Sequence, residues 1–271
     1  MPYLYETHLH TCQSSNCGVS RGREYIARYR DLGYTGIIVT DHFFRGNCAV
    51  DRNLPWRRWV DEFCRGYEDA LNEGLRQGLD VFFAWEESYS GDDYLIYGLD
   101  RDWLYGHPEC RSWTRRQQFE AVDQAGGCVV QAHPFRQHYY ISRIILSTGC
   151  VHGVEAANAG NDEDSYDALA RRYGERLGLA MTAGSDIHDA GLAAEGSSYG
   201  VILDERIKTP QDYARAVRTG RIRGLRMASG RCDFRGDERI RLPVDIRDGR
   251  DRPTGQDIWL FFQSRGTVVS R

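Results

Sequence analysis

Short runs of β-forming residues alternate with longer amphipathic stretches along most of this 271-residue chain. Alternation of this kind predicts repeated βα units, in which helices cover a mainly parallel sheet. The clearest strand is Gly36–Thr40, and the amphipathic helix Glu24–Leu32 before it ends at Gly33. The other predicted strands are Tyr3–Thr7, Val81–Trp85, Tyr94–Tyr97, Cys128–Ala132, Gly153–Ala156, Leu179–Ala183 and Val201–Leu203, and the other predicted helices are Trp56–Gln77, Arg115–Ala125, Ser165–Leu177 and Pro210–Thr219.

The end of the chain differs in composition from the rest. From about Arg231 onward, Arg, Asp and Gly become frequent around two apolar runs, Ile240–Ile246 and Ile258–Phe262. We therefore predict one large domain over residues 1–230 and a C-terminal extension over residues 231–271 that packs on it. The two apolar runs of the extension favour a β-hairpin.

Composition excludes several classes of protein. No apolar run approaches the roughly 18 to 20 residues that span a bilayer, and the first six residues show no basic or apolar segment of a signal peptide. A formal net charge of -4 gives no overall attraction to nucleic acid or to an anionic membrane. The eight cysteines form no Cys-x-x-Cys pair, so we expect reduced thiols and a cytoplasmic protein.

Polar residues of metal-binding types follow most of the predicted strands directly. In a βα barrel the carboxyl ends of the strands gather at one face, so residues distant in sequence meet there. A single histidine after a strand is usually a hydrogen-bonded loop residue, but a series of such positions at successive strand ends predicts a shared site. The residues concerned are His8 and His10, Asp41 and His42, Glu86 and Glu87, His133, and Asp186 and His188.

The chemical types of these residues predict a metal centre. His8 and His10 are two apart on an extended segment, so their imidazoles project to one side, and Asp186 and His188 repeat this spacing. Imidazoles mixed with carboxylates suit Zn²⁺, Mn²⁺ or Fe²⁺ better than Mg²⁺ or Ca²⁺. The donors outnumber the three or four protein ligands of a single catalytic ion, which predicts two or three ions with a bridging carboxylate.

Five motifs occur in order along the chain: Thr7-His8-Leu9-His10-Thr11, Thr40-Asp41-His42, Trp85-Glu86, Ala132-His133-Pro134 and Gly184-Ser185-Asp186-Ile187-His188. Together they resemble the polymerase and histidinol phosphatase (PHP) family over roughly residues 3 to 225. The resemblance implies an α/β fold, a distorted seven-stranded (β/α) barrel over the 1–230 domain. It also implies a phosphoesterase with two or three divalent ions (Mn, Fe or Zn), in which a hydroxide bridging two ions attacks phosphorus.

The resemblance also assigns ligands to individual positions. It implies a first ion held by His8, His10, Glu86 and Asp186. Glu86 would bridge to a second ion held by His133. His42 and His188 would belong to a third position.

Two positions depart from the family's pattern. Where relatives carry a His or an acid a few residues after the His-x-His motif, this chain has Asn16, and where they carry a further His after the bridging Glu, its nearest match is Asp93. Both can ligate through oxygen, neutral Asn more weakly, so occupancy of the third position is left open. Cys12 and Cys17, in the same loop as Asn16, are either soft metal ligands or packed thiols.

Four further roles concern the substrate and its surroundings. Arg136 is predicted to bind phosphate through its guanidinium fork, with an exposed loop arginine as the alternative, and Arg45 is a second, weaker candidate. His42 or His188 would protonate the leaving oxygen where it is not committed to a metal. Asp41 either orients His42 or caps a helix.

The motifs favour a general phosphomonoesterase or phosphodiesterase. Its expected partner is a small phosphorylated substrate, such as a nucleotide, a short oligonucleotide or a phosphorylated metabolite, with no membrane partner and an open oligomeric state. Histidinol-phosphate phosphatase is the alternative that chain length favours, but Cys12–Gly18 lacks the His expected of it. A degenerate PHP module that binds without catalysis is disfavoured by the intact first ligand set. A C–N hydrolase of the amidohydrolase type is disfavoured because the single lysine, Lys208, lies far from the motifs.

Overall fold

A computed structural model describes residues 2–263 of the chain. Its strands are β1 (Tyr3–Glu6), β2 (Gly36–Val39), β3 (Asp80–Ser88), β4 (Asp93–Tyr97), β5 (Cys128–Ala132), β6 (Ile144–Ser147), β7 (Gly153–Asn158), β8 (Ala180–Gly184), β9 (Gly200–Leu203), β10 (Gly224–Arg226) and β11 (Val244–Arg247). Its helices are α1 (Glu24–Asp31), α2 (Trp56–Phe63), α3 (Arg65–Gln77), α4 (Arg101–Gly106), α5 (Arg115–Gln124), α6 (Asp164–Leu177), α7 (Pro210–Arg218) and α8 (Ile258–Gln263).

Nine strands form one curved sheet in the order β10-β9-β1-β2-β3-β4-β5-β7-β8. Beyond the ends of β1 and β8 the chain pairs again, through a parallel bridge between Leu9 and Ile187. There the His10 N–H donates to the Ile187 carbonyl over 2.9 Å, and the Asp186 N–H donates to the His8 carbonyl over 2.8 Å. This bridge closes a ring of β1, β2, β3, β4, β5, β7 and β8. The predicted distorted α/β barrel is confirmed, although β9 and β10 bring the strand count above seven.

Strand direction departs from the predicted βα repeat. β4 is antiparallel to both β3 and β5, and β9 is antiparallel to both β1 and β10. Residues 89–92 alone join β3 to β4, whereas a parallel crossover needs about a dozen residues. The prediction of a parallel sheet is therefore wrong at β4. Because β4 runs the other way, its first residue lies at the edge where the parallel strands end.

The helix predicted over Trp56–Gln77 is two helices. α2 and α3 are separated at Cys64, which has φ -76° and ψ -6°. Gly66, just after this break, lies so close to the His-x-His loop that a Cβ there would stand 1.9 Å from Thr11 Oγ1. The break and the missing side chain together let α3 approach the loop that carries the first two histidines.

Aromatic rings build the core beside α2. Trp59 is fully buried and stacks on Phe63 and Trp56, with ring centroids 5.0 and 5.2 Å away. Phe43 meets Trp59 edge to face at 5.1 Å. Since Phe43 directly follows His42, this packing holds the backbone that presents His42 at the end of β2.

The C-terminal extension packs on one side of the barrel. β11 pairs in parallel with β6, a strand that lies outside the nine-stranded sheet. The run Ile258–Phe262 is helical in α8, and its Phe262 ring lies 6.2 Å from that of Phe135. The predicted hairpin between Ile240–Ile246 and this run is therefore wrong, because β6 supplies the strand partner and the second run buries one helical face instead. Residues 264–271 of the extension lie outside the described residues.

Local signals explain several helix boundaries. The Thr114 side chain caps the first turn of α5, and Pro210 follows Thr209 at the first position of α7. Gly78 and Gly178 end α3 and α6 in the left-handed conformation that glycine adopts without strain. Within residues 2–263, none of the helices is long and apolar enough to cross a membrane.

Candidate metal centre

Glu86, near the end of β3, lies among the histidines from the other strand ends. Its Oε1 is 3.4 Å from His8 Nε2 and 3.2 Å from His133 Nε2. Its Oε2 is 2.6 Å from His42 Nδ1 and 3.6 Å from His10 Nε2. One buried carboxylate thus faces four imidazoles that follow three different strands, which is the arrangement expected of a bridging ligand.

Asp186 faces the same space from the end of β8. Its Oδ1 is 3.1 Å from His10 Nε2 and 3.4 Å from His8 Nε2, and its Oδ2 is 3.9 Å from His133 Nε2. The Nε2 atoms of His8 and His10 are themselves 3.1 Å apart. Imidazole nitrogens and carboxylate oxygens therefore converge on one small volume, as the ligands of an ion do.

Within residues 2–263, four overlapping sets of side chains bring their donor atoms close enough to share an ion. In each set the donor atoms lie within 4.8 Å of one another. The shared members place the sets side by side around Glu86 and Asp186. The sets are His8, His10 and Glu86; His8, His133 and Asp186; Glu86, Asp93 and His133; and His10, His42 and His188.

Asp93 belongs to this cluster because β4 is antiparallel. It is the first residue of β4 and pairs with Ser88 of β3 and Ala132 of β5, directly beside His133. Its Oδ2 is 4.0 Å from His133 Nε2, and burial raises the pKa of its carboxyl group. The residue at the position where the resemblance implies a histidine thus lies beside Glu86 and His133.

Among residues 2–263, neither Asn16 nor its neighbour Cys17 belongs to the four sets of donor atoms. Asn16 is exposed, and its Nδ2 donates to the Cys48 carbonyl over 2.8 Å. The half-buried Cys17 thiol lies near His42 and His188. Burial opposes ionisation of this thiol, but the neighbouring imidazoles of His188 and His42 lower its pKa to about 6. Cys17 is therefore a neighbour of the third set rather than a member of it.

Two buried atoms of the cluster lack a hydrogen bond. His42 Nδ1 and Glu86 Oε2 are 2.6 Å apart, yet neither has a partner in hydrogen-bond geometry among the described residues. A buried polar atom without a hydrogen bond is costly, and a divalent ion held by both atoms would remove this cost. Imidazole and carboxylate donors are those that Zn²⁺, Mn²⁺ and Fe²⁺ accept. The residues present therefore fit divalent ions of this class.

Neighbouring positive charge keeps the two central carboxylates ionised. Burial alone would favour the neutral acids. The imidazoles of His42 and His8 nevertheless hold the pKa of Glu86 well below its usual range. His8 and the Arg136 guanidinium do the same for the pKa of Asp186. Metals bind deprotonated carboxylates and neutral imidazoles, so a bound divalent ion would replace the imidazolium protons as the charge that keeps both carboxylates ionised.

Glu155, in the middle of β7, is hydrogen-bonded to two of the candidate ligands. His8 Nδ1 donates to its Oε1 over 2.9 Å, which leaves His8 Nε2 to face the cluster. Its Oε2 accepts from the His133 N–H over 3.0 Å and from Asn158 Nδ2 over 2.8 Å. Such a carboxylate fixes the tautomer of a ligating histidine. Sequence reasoning missed Glu155, although an acid in an otherwise apolar strand is a usable signal.

Glu6, the last residue of β1, is hydrogen-bonded to two of the segments that carry candidate ligands. Its Oε1 accepts from the His8 N–H and from the Ser185 N–H, each over 2.9 Å, and the Tyr29 hydroxyl donates to its Oε2 over 2.7 Å. Burial raises the pKa of Glu6, and these hydrogen bonds oppose the rise. The carboxylate fixes the His-x-His segment relative to the segment that carries Asp186. It too was missed from the sequence.

Asp41 acts on the loop rather than on the His42 ring. Its Oδ1 accepts from the Thr11 N–H over 2.6 Å and from Ser15 Oγ over 2.7 Å. Ser15 Oγ in turn accepts from the His42 N–H over 3.0 Å. Burial raises the pKa of Asp41 to about 6. Of the two predicted roles, neither direct contact with the His42 ring nor a helix cap is observed.

Both candidate phosphate-binding arginines are held by acidic partners. Arg136 Nη2 donates to Asp186 Oδ2 over 2.6 Å, and its Nε donates to Asn161 Oδ1 over 2.9 Å. Arg45 Nε donates to Glu87 Oε1 over 3.2 Å. Arg136 thus borders the cluster by contacting one of its ligands.

Two members of the cluster have unusual backbone conformations. In residues 2–263, positive φ outside glycine occurs at three residues: His133 with 27°, Asp186 with 53° and Asp251. Such conformations are costly for residues with a side chain and concentrate at functional sites. Backbone strain is therefore present at two residues of the cluster, directly after β5 and β8.

Comparison with known proteins bears on the fold. Neither the protein-family models nor the curated proteins gave a match. A solved two-domain protein from Bacteroides vulgatus, described as containing a predicted PHP-like metal-dependent phosphoesterase, aligns over 84% of this chain with a TM-score of 0.55 and 14% identity. The chain has a PHP-like fold. It spans 65% of the length of that two-domain protein.

Two further solved structures align over a similar part of the chain. PsfC from Pseudomonas syringae gives a TM-score of 0.52 and 14% identity over 85% of this chain and 93% of its own. An amidohydrolase from Chromobacterium violaceum, solved with sulfate and without metal, gives a TM-score of 0.47 and 15% identity over 80% of this chain and 96% of its own. At 14% identity the likeness to PsfC describes the fold alone.

Proposed function

We propose that the protein is a metal-dependent hydrolase that cleaves phosphomonoesters or phosphodiesters. The observation that carries the proposal is the position of Glu86, whose two oxygens face the donor sets of neighbouring ion positions. Ions that share a carboxylate are typical of enzymes that displace an oxygen at phosphorus. The PHP-like fold supports the same chemistry.

The donor sets of the cluster offer positions for up to three ions. Bound divalent ions would supply a water molecule of lowered pKa and neutralise charge on the phosphoryl oxygens. The first position would be held by His8, His10, Glu86 and Asp186, the second by Glu86, Asp93 and His133, and the third by His42 and His188 with His10 beside them.

The roles of His42 and His188 depend on whether the third position is filled. With an ion there, both are ligands. Without one, the half-buried His188 is placed to give a proton to the leaving oxygen, because its Nδ1 donates to the Asp186 carbonyl over 2.9 Å and so fixes the ring. Burial lowers the pKa of His188, but Cys17 and Asp186 more than offset this, so the net shift is upward and favours the protonated ring.

Aromatic surface beside the cluster favours substrates with a ring. Tyr139 and Tyr140 are exposed, and Tyr140 lies near Arg136, which contacts Asp186. Exposed rings of this kind stack on bases. Nucleotides and short oligonucleotides are therefore the first substrates proposed, and other phosphorylated metabolites, including histidinol phosphate, come second.

A phosphoester panel on metal-loaded protein tests the proposal. The panel contains p-nitrophenyl phosphate, bis-p-nitrophenyl phosphate, nucleoside monophosphates, a short oligonucleotide, histidinol phosphate and one amide substrate. We expect release of phosphate or of an alcohol from at least one phosphoester, and its loss in Glu86→Gln. The exposed Glu195→Gln serves as the matched control and is expected to keep full activity.

The outcomes separate the competing functions. Protein that binds ions but cleaves no member of the panel would support the non-catalytic binding module. Cleavage of the amide alone would support a C–N hydrolase. Full activity of Glu86→Gln, with melting unchanged, would remove the bridging carboxylate from the mechanism and overturn the proposal.

A further inference from the structure

The C-terminal extension begins with an arginine, Arg231, whose side chain is only 13% exposed. Its Nε donates to Asp167 Oδ2 and its Nη1 donates to Asp164 Oδ1, each over 2.6 Å. Its Nη2 donates to the carbonyls of Asn158 and Asn161, over 3.2 and 2.7 Å. Four acceptors at the junction of β7 and α6 thus surround one guanidinium, and these contacts fix the loop between the two elements.

Two asparagines at this junction also hold Arg136. Asn158 Oδ1 accepts from Arg136 Nη2, and Asn161 Oδ1 accepts from Arg136 Nε, each over 2.9 Å. Asn161 Nδ2 donates to Asp167 Oδ1 over 2.7 Å, so the acid that accepts from Arg231 also orients Asn161. The guanidinium of Arg136 is therefore oriented by side chains whose own positions depend on Arg231.

Arg136 in turn contacts a candidate ligand. Its Nη2 donates to Asp186 Oδ2 over 2.6 Å, while Asp186 Oδ1 lies 3.1 Å from His10 Nε2. One carboxylate oxygen is thus held by the guanidinium, and the other faces the histidines of the cluster. A Cβ at Gly160 would stand 3.3 Å from both Arg136 Nη2 and Asp186 Cβ. The loop after β7 therefore packs directly against this pair of side chains.

The extension also contacts the segment that carries Arg136. Gln137, the next residue, donates from Nε2 to the Arg239 carbonyl over 3.0 Å, and its Oε1 accepts from the Arg241 N–H over 2.6 Å. At the start of the extension, the buried Cys232 Sγ donates to a carbonyl of β7 over 3.2 Å. The extension therefore contacts both the backbone segment of Arg136 and the loop that holds its guanidinium.

We propose that Arg231 is a positioning residue of the metal centre, which acts through Arg136 to hold Asp186 in the orientation that a ligand needs. The inference rests on the proposed function only in taking the cluster to hold ions. Residues that orient a ligand typically change metal affinity by about 10- to 100-fold. Arg231 lies further from the ligand than Arg136, so its loss should have an effect at the lower end of this range.

Competition for Zn²⁺ with a coloured chelator, on the full chain, tests the proposal without an activity assay. Arg231→Ala should lower the affinity by about 10-fold. The same substitution in an Arg136→Ala background should lower it by no more than about twofold, which is the scatter of additive effects. A role in stability alone would give equal losses in both backgrounds.

Arg241→Ala is the matched control. Arg241 also belongs to the extension and pairs with an acid of the same loop, Glu163, over 2.9 Å, but at an exposed site. The substitution keeps the backbone N–H that contacts Gln137. It removes a surface ion pair of little energetic value, so the affinity for Zn²⁺ should not change.

Arg231→Lys decides the question if Arg231→Ala does not fold. Lysine keeps the positive charge beside Asp167 but lacks the fork that reaches four acceptors. We expect a loss of affinity smaller than about 10-fold, and this loss should again disappear in the Arg136→Ala background.

The other outcomes are distinguishable. Unchanged Zn²⁺ affinity in the Arg231 variants would overturn this inference and leave the proposed function standing. Equal losses with and without Arg136 would also overturn it, because Arg231 would then act by another route, such as the hydrogen bond from Asn158 Nδ2 to Glu155. Wild-type protein that binds no Zn²⁺ would overturn the proposed function as well.

Discussion

Arg136 Nη2 donates one hydrogen bond to Asp186 Oδ2 over 2.6 Å and another to Asn158 Oδ1 over 2.9 Å. Asn161 Oδ1 accepts a hydrogen bond from Arg136 Nε, and Asn161 Nδ2 donates one to Asp167 Oδ1. Asp167 Oδ2 in turn accepts a hydrogen bond from Arg231 Nε, at the start of the C-terminal extension. A chain of hydrogen bonds thus runs from the extension to a ligand of the cluster. These contacts favour a role for Arg136 in positioning Asp186 over direct binding of phosphate.

The first prediction concerns Arg136→Ala. Loss of the guanidinium leaves Asp186 Oδ2 without its short contact, so we expect the affinity for divalent ions to fall by about 10- to 100-fold, as for other residues that hold a ligand. Competition with a coloured chelator measures this affinity. An unchanged affinity combined with a raised KM would instead assign Arg136 to phosphate binding. The exposed Arg116→Ala is the control and should change neither quantity.

The second prediction concerns Glu155→Gln. Both oxygens of Glu155 accept hydrogen bonds, one from His8 Nδ1 over 2.9 Å and the other from the His133 N–H over 3.0 Å. An amide would turn its NH₂ group toward one of these donors, so we expect loss of about 1–3 kcal/mol of unfolding free energy and weaker metal binding. Urea unfolding of the metal-free protein measures the first effect. Glu195→Gln, on the surface, should leave it unchanged.

Most strand and helix positions follow from apolar periodicity, whereas strand direction does not. Cys128–Ala132 is a strand with the predicted bounds, because a short apolar run between Gly126-Gly127 and a His-Pro pair allows little else. β4 shows the same kind of periodicity whichever way it runs. Only the short link over residues 89–92 indicates that β4 is antiparallel to β3, and this direction places Asp93 in the cluster.

The candidate ligands were accessible from sequence because their residue types are unusual at strand ends. Glu6 and Glu155 were not, because they contact ligands through hydrogen bonds and their spacing follows no pattern. The position of Asn16 needed the structure as well. In an irregular loop, the backbone hydrogen bonds decide which way each side chain faces, and here the Asn16 N–H donates to the Asn47 carbonyl.

The third prediction concerns Gly184→Ala at the end of β8. A Cβ at this position would stand 2.4 Å from His8 Cβ and 2.7 Å from Glu155 Oε1, so His8 would be displaced. Overpacking of this kind costs about 1–3 kcal/mol of unfolding free energy, and the displaced ligand should lower the number of ions bound per chain. Denaturant unfolding and metal analysis measure the two effects. Gly224→Ala is the control, since its Cβ would meet open space; equal behaviour of the two variants would contradict the argument.

The fourth prediction concerns alkylation of Cys17 in the metal-free protein. Burial opposes ionisation, but the neighbouring imidazoles of His188 and His42 lower the pKa of the thiol to about 6, so the thiolate fraction rises with pH through that value. The rate at which Cys17 reacts with iodoacetamide, followed by peptide mass spectrometry, should therefore level off above about pH 7. The rate at an ordinary thiol, with a pKa of about 8.5, would still be rising at that pH. Buried Cys48, with its pKa raised by burial to about 11, should stay unmodified at neutral pH. Cys12→Ser should leave the profile unchanged. A Cys17 midpoint near that of an ordinary thiol would show that the two histidines do not stabilise its thiolate.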